Sequence, residues 1–175
     1  MNSVKKTGWY ILYVRSRHEK KIEHQLGEKK IESFLPTIKT TRQWSDRKKL
    51  VEVPLFPSYI FVKINSPFNY HWALSIKGVC GVVRFGKEFA IASDTEIDNI
   101  KLLLSNKSFE KIEIENQEPI TGINYKIQDG PLNGLKCELL KINNKNKIVV
   151  KVASLKQNII ATLPKENLLE VHLPI

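Results

Sequence analysis

The sequence predicts an α+β fold: an N-terminal sheet-and-helix sandwich followed by a small all-β barrel. Three observations predict it. From Trp9 to Asn106, strand-like and helix-like runs alternate in the order β-α-β-β-α-β-α, the pattern of helices packed against a sheet. From Tyr125 to Val171, short β-branched runs are separated by turn clusters at Gly130–Gly134, Asn143–Asn146 and Leu163–Asn167, which argues for a curled sheet or barrel. Charge divides in the same way: residues 1–108 hold 19 Lys/Arg against 10 Asp/Glu, a balance of +9, while residues 109–175 hold 9 against 8, a balance of +1. Such asymmetry suits two modules with different partners. The expected organisation is a domain over 1–106, an acidic linker over 107–119 and a β-domain over 120–175. The linker assignment rests on Glu110, Glu113, Glu115 and Glu118 and on the lack of a helical stripe.

Trp9–Val14 is a short aromatic and β-branched run, hence a first strand. A helix is expected from about Arg17 to Lys29, with Ile22 and Leu26 one turn apart as its buried stripe. Glu19, Lys20, Lys21 and Glu23 would then mark its wet face. Ile31–Thr40 reads as a second strand in which Pro36 demotes the middle to an edge or a bend. Thr41–Lys49 is polar and basic, with Ser45 and Asp46 at its centre, and reads as a protruding hairpin arm. Trp44 within it either stacks on a partner or folds back on the domain.

Leu50–Ile64 is the most hydrophobic stretch. Apolar residues occupy both alternating sets from Phe56 onward, so the strand belongs inside a sheet with both faces covered. Pro54 and Pro57 cannot donate to a ladder, so the segment must enter through a break, leaving Leu55, Phe56 and Tyr59 short of cover. A helix starts at Ser66-Pro67, and Phe68, Trp72 and Ile76 form a core stripe at four-residue spacing. Gly78 would follow as a left-handed cap. Val79–Phe85 is a strand broken at Gly86. Ser93-Asp94-Thr95-Glu96 has the form of a capping box opening a helix to about Asn106, with Ile97, Ile100, Leu103 and Leu104 buried.

Several classes are excluded or disfavoured. No run approaches the ~20 apolar residues of a membrane span, and the N-terminus lacks the apolar core of a signal peptide, so a cytoplasmic protein without membrane contact is expected. Cys80 and Cys137 are far apart in apolar surroundings and are expected to be reduced and buried. The histidines at 18, 24, 71 and 172 are scattered. There is no phosphate-cradling glycine loop, no Cys-x-x-Cys and no grouping of nucleophile, base and orienting residue. No metal, cofactor or catalytic residue is expected, and the chain does not read as an enzyme.

Four motifs occur in order: Trp9-Tyr10, Leu35-Pro36, Leu55-Phe56-Pro57-Ser58-Tyr59-Ile60-Phe61-Val62 and Gly130-Pro131-Leu132-Asn133-Gly134. Together, from Trp9 to Val171, they resemble the NusG family of transcription elongation factors, in which a NusG-type N-terminal domain precedes an SH3-like KOW barrel. Gly78-Val79 and Val83-Arg84-Phe85-Gly86, with Ser58 in place of the usual glycine, are closer to the specialised RfaH-like paralogues that serve selected long operons.

The resemblance implies a transcription antitermination factor that grips the clamp helices of the largest RNA polymerase subunit through Tyr13, Leu55, Phe56, Pro57, Tyr59 and Phe61. It also implies contact with the non-template DNA strand. Arg15, Lys21 and Lys77 match basic positions of the RfaH pattern, and charge clustering adds Arg17, Lys20 and Arg84. Trp44 and His71 are candidates to stack on a splayed base. RfaH carries a His-Thr-Thr run where this chain reads Asn69-Tyr70-His71-Trp72, so contact with the opposite polymerase subunit does not carry over. The family's KOW domain commonly recruits ribosomal protein S10 or Rho, and in RfaH it also refolds as a helical hairpin. Ile148, Val149, Val150, Val152, Ile159 and Ile160 are β-branched and favour a constitutive barrel. A monomer is expected. The alternative is a free RNA-binding protein with an RNA-recognition-like domain and a ribosomal-type KOW domain. The apolar, proline-containing central strand suits it less well, because such strands alternate aromatics with glycine and basic residues.

Overall fold

The computed structural model describes residues 7–43, 48–106, 109, 111–116, 123–127, 132–142 and 145–162. The chain divides into two compact units, Met1–Asp94 and Thr95–Ile175.

The first unit is built around β1 (Gly8–Val14), whose residues Trp9 to Leu12 are all buried. It is followed by α1 (Glu19–Glu28), β2 (Ser33–Phe34), β3 (Thr37–Gln43), β4 (Lys48–Pro54) and β5 (Tyr59–Ile64). Then come α2 (Pro67–Ser75), β6 (Val79–Val82), β7 (Arg84–Phe85), β8 (Glu88–Phe89) and β9 (Ile91–Ala92). The main sheet runs β2-β5-β1-β6, with β9 also on β1, and every pair is antiparallel. Alternation assigns its faces. Tyr10, Leu12 and Val14 of β1 share one core with Ile60, Val62 and Ile64 of β5, Ile22 and Leu26 of α1, and Ala73 of α2. Phe61 points to the other face and is also buried, so β5 has apolar residues buried on both sides.

The Leu50–Ile64 stretch is not one element. Leu50–Pro54 belongs to β4, which pairs with β3 as a separate two-stranded hairpin in the register Thr37↔Pro54 to Gln43↔Lys48. This hairpin is the expected arm; Trp44 lies outside the described residues. Residues 55–58 then turn before β5 begins. Pro36 divides the expected second strand into β2 and β3 by the same rule that removes a proline from a ladder.

Three further expectations are corrected. Phe68 is 71% exposed, whereas Ile76 is buried and Trp72 is half-buried. Phe68 occupies the first turn of α2, directly after the Ser66 cap, whose hydroxyl accepts from the Asn69 N–H at 3.2 Å. Cys80 is exposed and Cys137 buried, both as free thiols. Glu19 and Glu23 do not form a wet face: Glu19 is buried and Glu23 is half-buried, and each carboxylate accepts a backbone N–H from a neighbouring turn.

Gly78 follows α2 with φ 108°, and Gly86 (φ 63°) turns the β7–β8 hairpin, where the sequence places its break. Positive φ is glycine's province because a Cβ is strained there.

The second unit holds nearly all of α3 (Asp94–Ser105), together with β10 (Lys111–Asn116), β11 (Ile123–Lys126), β12 (Lys136–Ile142), β13 (Lys145–Val152) and β14 (Gln157–Thr162). Its five-stranded antiparallel sheet has the order β10-β14-β13-β12-β11. The expected runs Leu135–Ile142, Lys147–Val152 and Asn158–Leu163 correspond to β12, β13 and β14. β10 falls inside the stretch expected as a linker. Ile112 and Ile114 alternate with Lys111, Glu113 and Glu115, a half-buried strand pattern that the acidic composition masks. Ile97, Ile100 and Leu103 are the buried stripe of α3, while Leu104 is half-buried. The β13–β14 connection is a single 3-10 turn, Ala153–Leu155, closed by Lys156 at φ 52°. Of the expected turn clusters, Gly130-Pro131, Asn143-Asn144 and Leu163–Asn167 lie outside the described residues.

Candidate functional site

The residues expected to dock on a protein partner converge at one end of β1 and β5. Tyr13 and Tyr59 are directly opposite in the β1–β5 register, with ring centroids 5.6 Å apart. Tyr13 is 48% exposed, Pro57 is exposed and Tyr59 is half-buried. Leu55, Phe56 and Phe61 are buried, which corrects the expectation that the proline break leaves Leu55 and Phe56 uncovered. The cause is local. The Leu55 N–H donates to Pro36 O at 2.8 Å, and the Tyr59 N–H donates to Phe56 O at 3.2 Å, folding the turn inward. The Phe56 ring meets Phe61 edge-on at 6.0 Å, and Phe61 lies 6.1 Å from Phe34. The site therefore presents Tyr13, Pro57 and Tyr59 above a buried aromatic floor.

Ser58, between Pro57 and Tyr59, has φ 68°. Both sides of this residue are tied: its N–H donates to Glu19 Oε1 at 2.9 Å, and its carbonyl accepts from the Val14 N–H at 2.8 Å. Four residues further along α1, Glu23 Oε1 accepts from the Leu35 N–H at 3.2 Å. Burial pushes the Glu23 carboxyl above its ordinary range, against the lowering effects of that hydrogen bond and of Lys20.

The expected basic corner is present at the β1–α1 junction. Arg15, Arg17, Lys20 and Lys21 are exposed, and Arg17 adopts φ 66°. The Arg15 N–H donates to Gly78 O at 2.8 Å, which brings the exposed Lys77 loop beside the same corner. Lys20 is already engaged: its Nζ meets Glu52 Oε2 at 2.8 Å, while Glu52 Oε1 accepts from the Thr37 hydroxyl at 2.9 Å. These donors hold Glu52 below its ordinary carboxylate range, the Lys20 hydrogen bond foremost. Arg84 is on the β7–β8 hairpin with its guanidinium 4.2 Å over the Phe89 ring. His71 is exposed on α2, edge-on to Tyr70 at 5.6 Å. No group of metal-binding side chains occurs among the described residues, and no helix among them is long and apolar enough to cross a membrane.

The first unit thus combines an aromatic cluster at one end of β1 and β5 with a basic corner at the β1–α1 junction, and a small β-sheet unit follows it in the chain. Residues 7–101, more than half of the chain, match the family described as transcription termination factor nusG. The chain belongs to the NusG family of transcription factors, whose members generally bind RNA polymerase. It is also similar to the solved Thermotoga maritima structure reported as "Domain interaction in Thermotoga maritima NusG". That similarity has a TM-score of 0.48 at 22% identity and covers 90% of this chain and 94% of that one.

Proposed function

We propose that this NusG-family chain is an elongation and antitermination factor of the specialised RfaH-like kind, docking on the clamp helices of RNA polymerase through the Tyr13–Pro57–Tyr59 surface. The single observation that supports this most is the aromatic pair of exposed Tyr13 and half-buried Tyr59, opposite each other on β1 and β5 beside Ser58, which is tied on both sides. Tyrosines pre-set against each other on a sheet end lose little side-chain freedom on docking, and each Å² of apolar area removed from water contributes about 25 cal/mol. Leu55, Phe56 and Phe61 support that surface from beneath. The chain acts as a brace on the clamp: it disfavours clamp opening and paused states, and it needs no covalent chemistry.

Arg15, Arg17, Lys21 and Lys77 neutralise phosphates of the non-template DNA strand, with Arg84, His71 and Trp44 as further contacts. Lys20 serves that role only by exchanging Glu52 for a phosphate. The C-terminal sheet unit acts as a KOW-type recruitment module for ribosomal protein S10 or Rho, and the factor works as a cytoplasmic monomer. Ser58 supports the RfaH-like assignment, because it occupies with φ 68° the position where general factors of the family usually carry glycine.

In vitro elongation on a template with a defined pause tests the reading. Added protein is expected to shorten the pause lifetime and to remain with the transcribing complex. Unchanged pausing together with binding to free RNA would favour the RNA-binding alternative.

A further inference from the structure

We infer that Glu19 is a positioning residue for the docking surface: through the Ser58 backbone it sets Tyr59 against Tyr13. The inference rests on the docking role proposed above for those two tyrosines.

Glu19 stands in the first turn of α1, where helix-end N–H groups and the macrodipole favour a carboxylate. That preference does not explain its burial, since a solvated carboxylate at a helix start would satisfy it equally well. Glu19 is 4% exposed. Burying an ionisable side chain is costly unless it is hydrogen-bonded, and the contact identified across the fold is the Ser58 N–H at 2.9 Å, 39 residues away in sequence. A hydrogen bond to a charged acceptor is roughly twice as strong as a neutral one.

Its target is the one residue of the Leu55–Ser58 turn with positive φ. A non-glycine residue persists there only when its surroundings over-determine it. Glu19 holds the N–H side and Val14 holds the carbonyl side, so the chain enters β5 at a fixed angle. The next residue is Tyr59, whose register partner on β1 is Tyr13, directly before Val14. One carboxylate thus links α1 to the junction from which both aromatic side chains project. Glu23, one turn along α1, makes the analogous bond to Leu35. It provides an internal control: same helix, same bond type, but a different turn.

Three full-length variants test the role: Glu19→Met, which keeps the buried length without an acceptor; Glu19→Gln, which keeps an acceptor oxygen; and Glu23→Met. Each is measured for thermal stability, for Tyr13–Tyr59 ring cross-relaxation by NMR, and for binding to core RNA polymerase. Glu19→Met is expected to lose the ring cross-peak and to weaken polymerase binding about tenfold, the scale of one lost charge-assisted hydrogen bond. Glu19→Gln should restore the cross-peak, and Glu23→Met should lower stability while leaving it intact. A ring cross-peak that survives Glu19→Met, or is lost equally in Glu23→Met, overturns the inference. In the unaltered chain the Ser58 amide must exchange slowly with solvent; fast exchange overturns it even if Glu19→Met does not fold. If the unaltered chain does not bind polymerase, the docking proposal fails, while the cross-peak and exchange results still decide the role of Glu19.

Discussion

The Leu55 N–H donates to the Pro36 carbonyl at 2.8 Å, joining the two proline turns that flank the β3–β4 hairpin. Helix α1 reinforces that joint by supplying Glu19 to one turn and Glu23 to the other. The prolines end ladders, and the freed N–H groups of their neighbours are then satisfied by a carbonyl and by two carboxylates. The bends are therefore fixed rather than loose.

The Glu23 tie has a pH signature. Burial raises the Glu23 pKa in the folded chain. A raised carboxyl pKa contributes stability that is full below the unfolded value and is lost as the pH rises through the folded value. Glu23→Gln keeps an acceptor for the Leu35 N–H and cannot ionise. Melting temperatures of both proteins from about pH 4 to about pH 7 should show the variant gaining on the parent as pH rises. Parallel curves would contradict the assignment.

Ser58 carries a backbone cost that glycine would not. A left-handed conformation costs an L-residue roughly 1–2 kcal/mol, and glycine's extra unfolded-state entropy returns about 0.5–1 kcal/mol of that. Ser58→Gly should therefore stabilise the chain by about 0.5 kcal/mol in urea unfolding, and Ser58→Val should destabilise it. Destabilisation by glycine would mean that the serine side chain contributes a contact outweighing the strain.

The two thiols should separate cleanly. Cys80 is exposed, whereas burial, aided by Glu138, pushes the Cys137 thiol up to about 11. Alkylation needs an accessible thiolate. At neutral pH one equivalent of reagent is expected to react readily, at Cys80, and the second only after unfolding. Rapid modification of both would place Cys137 at the surface.

In the C-terminal sheet, Asn158 is fully buried on β14, and neither polar atom of its side chain has a hydrogen-bond partner among the described residues. An unsatisfied buried amide costs about 1–3 kcal/mol. Asn158→Val, with a β-branched side chain suited to a strand, should raise stability by about 1 kcal/mol. A loss of stability of that size would reveal a partner for the amide.

Much of this architecture is legible in the sequence because periodicity reports burial directly. β1, the Ile22–Leu26 stripe of α1, β5 and the β12–β14 strands all follow from it. What is not legible depends on long-range partners. Glu19 and Glu23 read as a solvated face because their acceptor roles involve turns 39 and 12 residues away. Leu55 and Phe56 read as uncovered because prolines break ladders, yet the turn folds both side chains inward. The Phe68 four-residue spacing is real, but it places the residue on the first turn of a short helix, where it stays exposed. For β10 the alternation of Ile112 and Ile114 is visible, but the acidic composition around it outweighs the signal. Of the site, the Tyr13–Tyr59 pair and the basic corner are visible as residue types; the Lys20–Glu52 pair and the Ser58 ties require the fold.

The most direct test of the central claim is binding of the full chain to core RNA polymerase, comparing the parent with Tyr13→Ala and Tyr59→Ala. Both variants alter surface or half-buried rings, so melting temperature serves as the control for folding. If Tyr13 and Tyr59 dock on the polymerase, the parent binds and both variants lose about thirtyfold in affinity or more while remaining folded, since central aromatic anchors typically cost about 2 kcal/mol or more when truncated. Undiminished binding by both folded variants, or no binding by the parent, would contradict it.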